Sequence, residues 1–209
     1  MRVKICGLTR EDDVRMVCAA GADALGFVMV PGTKRHVAPA RVRELARQAH
    51  PFVLTVGVVA DLGVEEAIAL ADAAGVGALQ LHGSETVETC LAIKRVRPAL
   101  ALFKAIRLRS RSDLPDFAVW NGLDGVLLDS GAGSGVPFDW SWLDSLPQPP
   151  VPLIVAGGLD PSNVGALLAH CRPAALDVSS GVESGPGRKD PAKVGAFLAA
   201  VANPRFFSA

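Results

Sequence analysis

Eight short, apolar, β-prone runs recur along the chain, and amphipathic helical stretches fill the gaps between them. The runs are Val3–Cys6, Ala24–Val30, Val53–Val59, Ala78–Leu81, Leu100–Ile106, Gly125–Asp129, Leu153–Ala156 and Leu176–Ser179. The clearest helical stretches are Glu11–Ala20, Ala40–Ala49, Glu65–Ala74 and Thr86–Val96. Over 209 residues this is a unit of about 26 residues, room for one strand and one helix each time. Alternation of this kind gives an α/β fold with a parallel sheet. Two architectures satisfy it, a closed (β/α)8 TIM barrel and an open doubly wound sheet. The open sheet would carry a G-x-G-x-x-G turn after its first strand, whereas Cys6-Gly7-Leu8-Thr9 stands there. The expectation is therefore a compact barrel, a single domain over residues 1–209, with every strand followed by a helix.

Local signals agree. Gly21, Gly75 and Gly122 each close a helix and lead into the second, fourth and sixth strands, where a left-handed glycine is expected. Thr9 with Asp12 reads as a capping-box-like pair, and Asp160-Pro161 and Asp190-Pro191 each place a cap before a first-turn proline. Pro147-Gln148-Pro149-Pro150 reads as a rigid turn rather than a linker. The tail Asn203-Pro204-Arg205-Phe206-Phe207 ends the last helix, its phenylalanines covering either the barrel bottom or a partner.

The 21 basic and 21 acidic side chains cancel, which argues against nucleic acid as a partner. Asp61, Glu65, Glu66 and Asp72 interrupt the most apolar stretch, so no membrane span is expected. Glu11, Asp12 and Asp13 follow the amino terminus too soon for a signal-peptide core. A cytoplasmic protein is expected. The four cysteines show no C-x-x-C spacing and the four histidines no H-x-x-x-H pair, so no metal site is expected. Cys18, Cys90 and Cys171 read as small buried hydrophobes within helical patterns.

In a barrel of this type the chemistry sits at the carboxyl ends of the strands. Gly157-Gly158 after the seventh strand and Ser179-Ser180-Gly181 after the eighth are small and rich in backbone N–H groups, which suits a phosphate cradle. The alternative is that these glycines only make tight turns. Asp129 closes the apolar sixth strand. Partial burial would raise its pKa and suit it to be a general acid, unless it merely caps the following loop. The glycine-rich residues 131–135 that follow read as a flexible lid or a spacer. Alternation turns Lys4 and Cys6 inward from the first strand, and a nearby ammonium favours a thiolate. Spacing alone leaves base and nucleophile both open for Cys6. Arg35, beside Lys34 and His36 in the loop after strand two, either clamps a second substrate anion or is a solvated surface charge. Asp177 also points inward, from the strand that must close against the first, so it should pair with Lys4.

Together these segments resemble the phosphoribosylanthranilate isomerase family. The match runs through Val3-Lys-Ile-Cys-Gly-Leu-Thr9, Ala24-Leu-Gly-Phe27 with Lys34-Arg35, and Gln80-Leu-His-Gly-Ser-Glu85. It continues through Leu127-Leu-Asp-Ser130, Gly135-Val-Pro-Phe-Asp-Trp140, Ala156-Gly-Gly-Leu159, and Asp177-Val-Ser-Ser-Gly-Val-Glu183 with Lys189-Asp190. The resemblance implies a (β/α)8 barrel and an Amadori rearrangement of N-(5′-phosphoribosyl)anthranilate without cofactor or metal. It makes Cys6 the general base and Asp129 the general acid, and puts the substrate carboxylate on Arg35. His82, within the fourth-strand match, is expected to bind substrate. Thr33-Lys34-Arg35 and Ala132-Gly-Ser-Gly135 depart slightly from the usual family pattern. The expected partner is a small phosphorylated substrate, and the protein a monomer or homodimer. The alternatives are the related histidine-pathway phosphoribosyl aminoimidazole isomerase (or an isomerase of both substrates) and a silent phosphate-ligand-binding barrel. Cys6 in place of an aspartate and a single obvious phosphate cradle argue against the former.

Overall fold

The computed structural model describes residues 1–131, 137–144, 146 and 149–202. Most of the glycine-rich loop (132–135), Pro147-Gln148 and the tail from Asn203 lie outside the described residues, and with them the readings placed on those segments. In chain order the elements are β1 (Arg2–Cys6), α1 (Glu11–Ala19), β2 (Ala24–Val28), α2 (Pro39–Ala46), β3 (Leu54–Val59) and α3 (Val64–Ala74). Next come β4 (Ala78–Leu81), α4 (Val87–Val96), β5 (Ala101–Arg107), β6 (Gly125–Asp129), β7 (Leu153–Val155) and α5 (Val164–His170). The chain continues with β8 (Ala175–Val178), β9 (Glu183–Gly185), β10 (Arg188–Lys189) and α6 (Pro191–Ala202). Strands β1 to β8 form a closed barrel in sequence order, and β9 and β10 make a small separate hairpin. The barrel closes by parallel pairing of β1 with β8, with Lys4 opposite Asp177.

Strand alternation divides the residues between two cores. Val3 and Ile5 of β1, Leu79 and Leu81 of β4, Val126 and Leu128 of β6, and Leu176 and Val178 of β8 pack outward in the large core. A small inner cluster of Ala105, Leu127, Ile154 and Ala156 fills the other side of the barrel wall on β5 to β7. By the same parity Lys4, Gln80, Asp129 and Asp177 turn inward, and all four are buried. One side of the interior is therefore apolar and the other is charged.

Three local readings need correction. Strands β5 and β6 are not followed by α-helices among the described residues, but by 3-10 turns at Arg111–Asp113, Phe117–Trp120 and Trp140–Leu143. Ser110, Pro115, Asp116 and Asn121-Gly122 interrupt the first of these connections every few residues, so no long helix can propagate. Thr9 makes no capping box: its hydroxyl donates to the Gly187 carbonyl at 2.7 Å, and Arg10, at the N-cap of α1, makes no side-chain cap. The acidic first turn Glu11-Asp12-Asp13 instead complements the helix dipole. Asp160 caps the turn at 161–163, with α5 beginning only at Val164, whereas Asp190 caps α6 directly. Gly21, Gly75 and Gly122 all have positive φ, although Gly122 follows a 3-10 turn. Among the described residues, no helix is long and apolar enough to cross a membrane.

Candidate active site

A cavity of about 690 Å³ opens at the carboxyl ends of the strands, and Cys6, Arg35, His82, Asp129, Gly157, Gly158, Ser179 and Ser180 all line it. Eight of the nine residues singled out from the sequence thus meet at one place. The ninth, Gly181, stands behind the wall. A β-carbon there would collide with the Leu159 carbonyl oxygen, so its role is to let the β7 and β8 loops pack against each other.

Cys6 ends β1 at the floor. Its Sγ and the Lys4 Cε lie 2.7 and 2.9 Å from where a side chain on Gly26 would begin, so β2 has space for both only because residue 26 is glycine. Lys4 Nζ donates to Asp177 Oδ2 at 2.9 Å, the expected pair across the barrel seam. It donates again to Gln80 Oε1 at 2.8 Å. Burial is the largest influence on the Cys6 thiol and pushes its pKa up; Lys4 and Lys189 pull it down, Asp177 pushes it up, and the net direction is up. The expected shift towards thiolate is therefore reversed in its net direction. The ammonium is present, but desolvation and its own counter-ion outweigh it.

The expected direction is also reversed for Asp129. Burial would raise its carboxyl, but the His82 hydrogen bond, the Gly131 N–H and the Arg107 guanidinium together hold it below the ordinary value. The His82 Nε2 to Asp129 Oδ2 distance is 3.1 Å, and the other ring nitrogen lies 2.8 Å from Gln80 Nε2. Both nitrogens of His82 are thus engaged within the protein, while the ring lines the cavity.

Arg35 is not a solvated surface charge. Its Nε and Nη2 donate to the two oxygens of Glu183 at 2.8 and 2.6 Å. Glu183 also accepts from Lys189 Nζ at 2.8 Å, and Lys189 donates to the Ser179 carbonyl at 3.1 Å. The β9–β10 hairpin thereby fastens the arginine loop to the loop after β8. Two of the five guanidinium N–H groups are used in this way, which leaves three for a ligand. In the cradle, Gly157 has φ +89° and Gly158 +64°. A β-carbon on Gly157 would sit 2.7 Å from Asp129 Oδ1, which brings the cradle directly against the carboxylate. Ser179 Oγ donates to the Cys6 carbonyl at 3.0 Å, fixing the cradle to the end of β1.

Sequence reasoning missed Gln80, Glu183 and the rim around His82. There Asp61, at φ +57°, accepts from Ser84 N and Oγ at 2.7 and 2.6 Å. Glu85 accepts from Asp61 N at 2.7 Å and from Lys104 Nζ at 2.8 Å. Gln80 had a visible signal: it is the one polar residue in the four-residue strand Ala78-Leu-Gln-Leu81 and shares strand parity with His82. The arrangement as a whole places the Cys6 thiol and the Asp129 carboxylate in one cavity beside the glycine- and serine-rich ends of β7 and β8, a set suited to moving protons within one substrate.

The family model described as N-(5′-phosphoribosyl)anthranilate isomerase matches residues 3–200. The isomerase of that name from Thermosynechococcus vestitus is 41% identical over 202 residues, covering 94% of this chain and 87% of that one. The solved phosphoribosyl anthranilate isomerase of Thermus thermophilus is 39% identical with a TM-score of 0.88, covering 97% of this chain and 98% of that one. A second solved isomerase, described as a complex with reduced 1-(o-carboxyphenylamino)-1-deoxyribulose 5-phosphate, is 34% identical with a TM-score of 0.83; the match covers 96% and 97% of the two chains.

Proposed function

The chain belongs to the N-(5′-phosphoribosyl)anthranilate isomerase family, and from its site we infer that Cys6 and Asp129 are the two proton-transfer residues of the rearrangement. The enzyme converts N-(5′-phosphoribosyl)anthranilate to 1-(2-carboxyphenylamino)-1-deoxyribulose 5-phosphate in tryptophan biosynthesis. The observation that carries the residue assignment is the convergence of Cys6, from β1, and Asp129, from β6, on a cavity also lined by Gly157, Gly158, Ser179 and Ser180.

In this reading Gly157, Gly158, Ser179 and Ser180 hold the phosphate, Gly181 supports their loops from behind, and Arg35 takes the anthranilate carboxylate on its remaining N–H groups. His82 meets the substrate with its ring. Asp129 protonates the furanose oxygen, and the ring opens to an iminium. Cys6 thiolate then removes the acidified C2′ proton, giving an enolamine that tautomerises to the ketone.

Burial raises the Cys6 thiol and the groups around Asp129 lower its carboxyl, so the first step needs the proton to shift from sulfur to carboxylate. The total is nevertheless correct, because the thiol–carboxylate pair carries one proton in either arrangement. A sugar lying over Asp129 strips water from it and pushes its carboxyl up towards the acid form, while Cys6 is already buried and changes less. Turnover leaves thiol and carboxylate behind, the arrangement that the two shifts favour.

All these residues belong to one chain, so a monomer and a homodimer would each carry complete sites. The cysteines are all unpaired thiols, which supports a reducing, cytoplasmic setting. The test is the loss of phosphoribosylanthranilate fluorescence. Wild-type protein turns over, while Cys6→Ser and Asp129→Asn each lose about 10²- to 10⁴-fold in kcat and still bind a product analogue. Near wild-type kcat in either variant removes that residue from the assignment.

A further inference from the structure

The hydrogen bonds beneath the cavity form one chain whose sense is fixed at its end. An ammonium can only donate, so the Gln80 atom 2.8 Å from Lys4 Nζ must be the amide oxygen. The amide nitrogen then faces His82 Nδ1 at 2.8 Å and also can only donate. Nδ1 must therefore accept. The ring's single proton goes to Nε2, 3.1 Å from Asp129 Oδ2, and the carboxylate accepts it. From Asp177 through Lys4, Gln80 and His82 to Asp129, each link leaves the next no choice.

We propose that Gln80 is a positioning residue: by bridging Lys4 and His82 it locks His82 as the neutral Nε2–H tautomer that aims and holds Asp129. Gln80 is 2% exposed, on the cavity floor, and its amide is held from both sides by Lys4 and His82. The same amide ties the lysine beside Cys6 to the histidine on Asp129, so the supports of base and acid share one joint. This gives the nitrogens of His82 a role separate from any contact its ring makes with substrate.

The role in turnover rests on the reading of Asp129 as the acid; the tautomer does not. The test is therefore ¹⁵N NMR of the histidine ring nitrogens, with the His82 signals identified by their loss in His82→Gln, alongside steady-state kinetics. Wild-type His82 shows a bare Nδ1 and a protonated Nε2. In Gln80→Glu a carboxylate that can only accept lies between Lys4 and the ring, and a proton appears on Nδ1. In Gln80→Met the lock is gone: both tautomers appear, and kcat falls about tenfold while KM changes less than about twofold. An Nδ1–H ring in the wild type, or an unaltered ring in Gln80→Glu, overturns the proposal. Tautomers as expected with an unchanged kcat in Gln80→Met overturn instead the importance of the aimed Asp129 for turnover.

Discussion

Replacing Asp177 with asparagine separates electrostatics from shape at the barrel seam. The lost interaction is a 2.9 Å ion pair whose two side chains are each 8% exposed. Removing one partner of a buried pair costs ~3–5 kcal/mol, because the other charge is left uncompensated. The cost here falls at the low end, since Gln80 still accepts from Lys4 and the asparagine oxygen can replace the carboxylate oxygen. About 3 kcal/mol in a chain of this size lowers Tm by ~6–12 °C. The thiol moves at the same time. Asp177 raises the Cys6 pKa while Lys4 and Lys189 lower it, so deleting the anion leaves two cations beside the sulfur and the thiol titrates at lower pH. Alkylation of the Cys6 peptide by iodoacetamide as a function of pH, read by mass spectrometry, isolates this thiol from the other three. An unchanged or raised midpoint in the folded variant refutes the reasoning, because a purely structural Asp177 would cost stability without moving the titration downward.

Arg35→Ala raises KM about 10- to 150-fold in the fluorescence assay, the loss of one charged hydrogen bond of ~1.5–3 kcal/mol, with kcat much less affected. An unchanged KM would mean that the guanidinium serves only Glu183. Stability should also fall in acid: Asp129 and Glu183 both titrate below their ordinary values in the folded protein, Glu183 because Arg35 and Lys189 together outweigh its burial. Their contribution is complete above the unfolded carboxylate pKa of about 4 and is lost as pH drops through the lower folded values. Thermal melts should therefore lose Tm steeply below about pH 4, and Asp129→Asn less so in that window.

The pairing of Lys4 with Asp177 was legible because it needs only two facts, strand parity and the adjacency of first and last strands in a closed barrel. The mouth position of Cys6 and Asp129 followed from the strand ends in the same way. Their protonation did not. The direction at Asp129 is set by His82 and Arg107, on or next to β4 and β5, and the curvature of the sheet brings those groups together. At Cys6 the deciding quantity is the depth of burial, which no neighbouring residue in the sequence reports. The ion pair that holds Arg35 was hidden for a related reason. The partner, Glu183, lies 148 positions along the chain, on a hairpin too short to leave a strand pattern. The helix expected after β5 fails on local grounds, since Ser110, Pro115, Asp116 and Asn121-Gly122 break residues 108–124 every few positions.

The seam also imposes an order in time on the living chain. Lys4 and Asp177 are 173 positions apart, so during synthesis the first strand leaves the ribosome long before its neighbour exists. Until then the lysine has no counter-ion and the cysteine beside it no finished surroundings. Asp129 of β6 emerges earlier than Asp177; of the loops that line the cavity, the one after β7 follows Asp129 and the one after β8 emerges later still. Closing two distant ends is a slow, long-range event, since the chain must surrender its freedom before the contacts repay it. No nascent fragment that stops before β8 contains a working site, and the enzyme is switched on once, at the moment its ends meet.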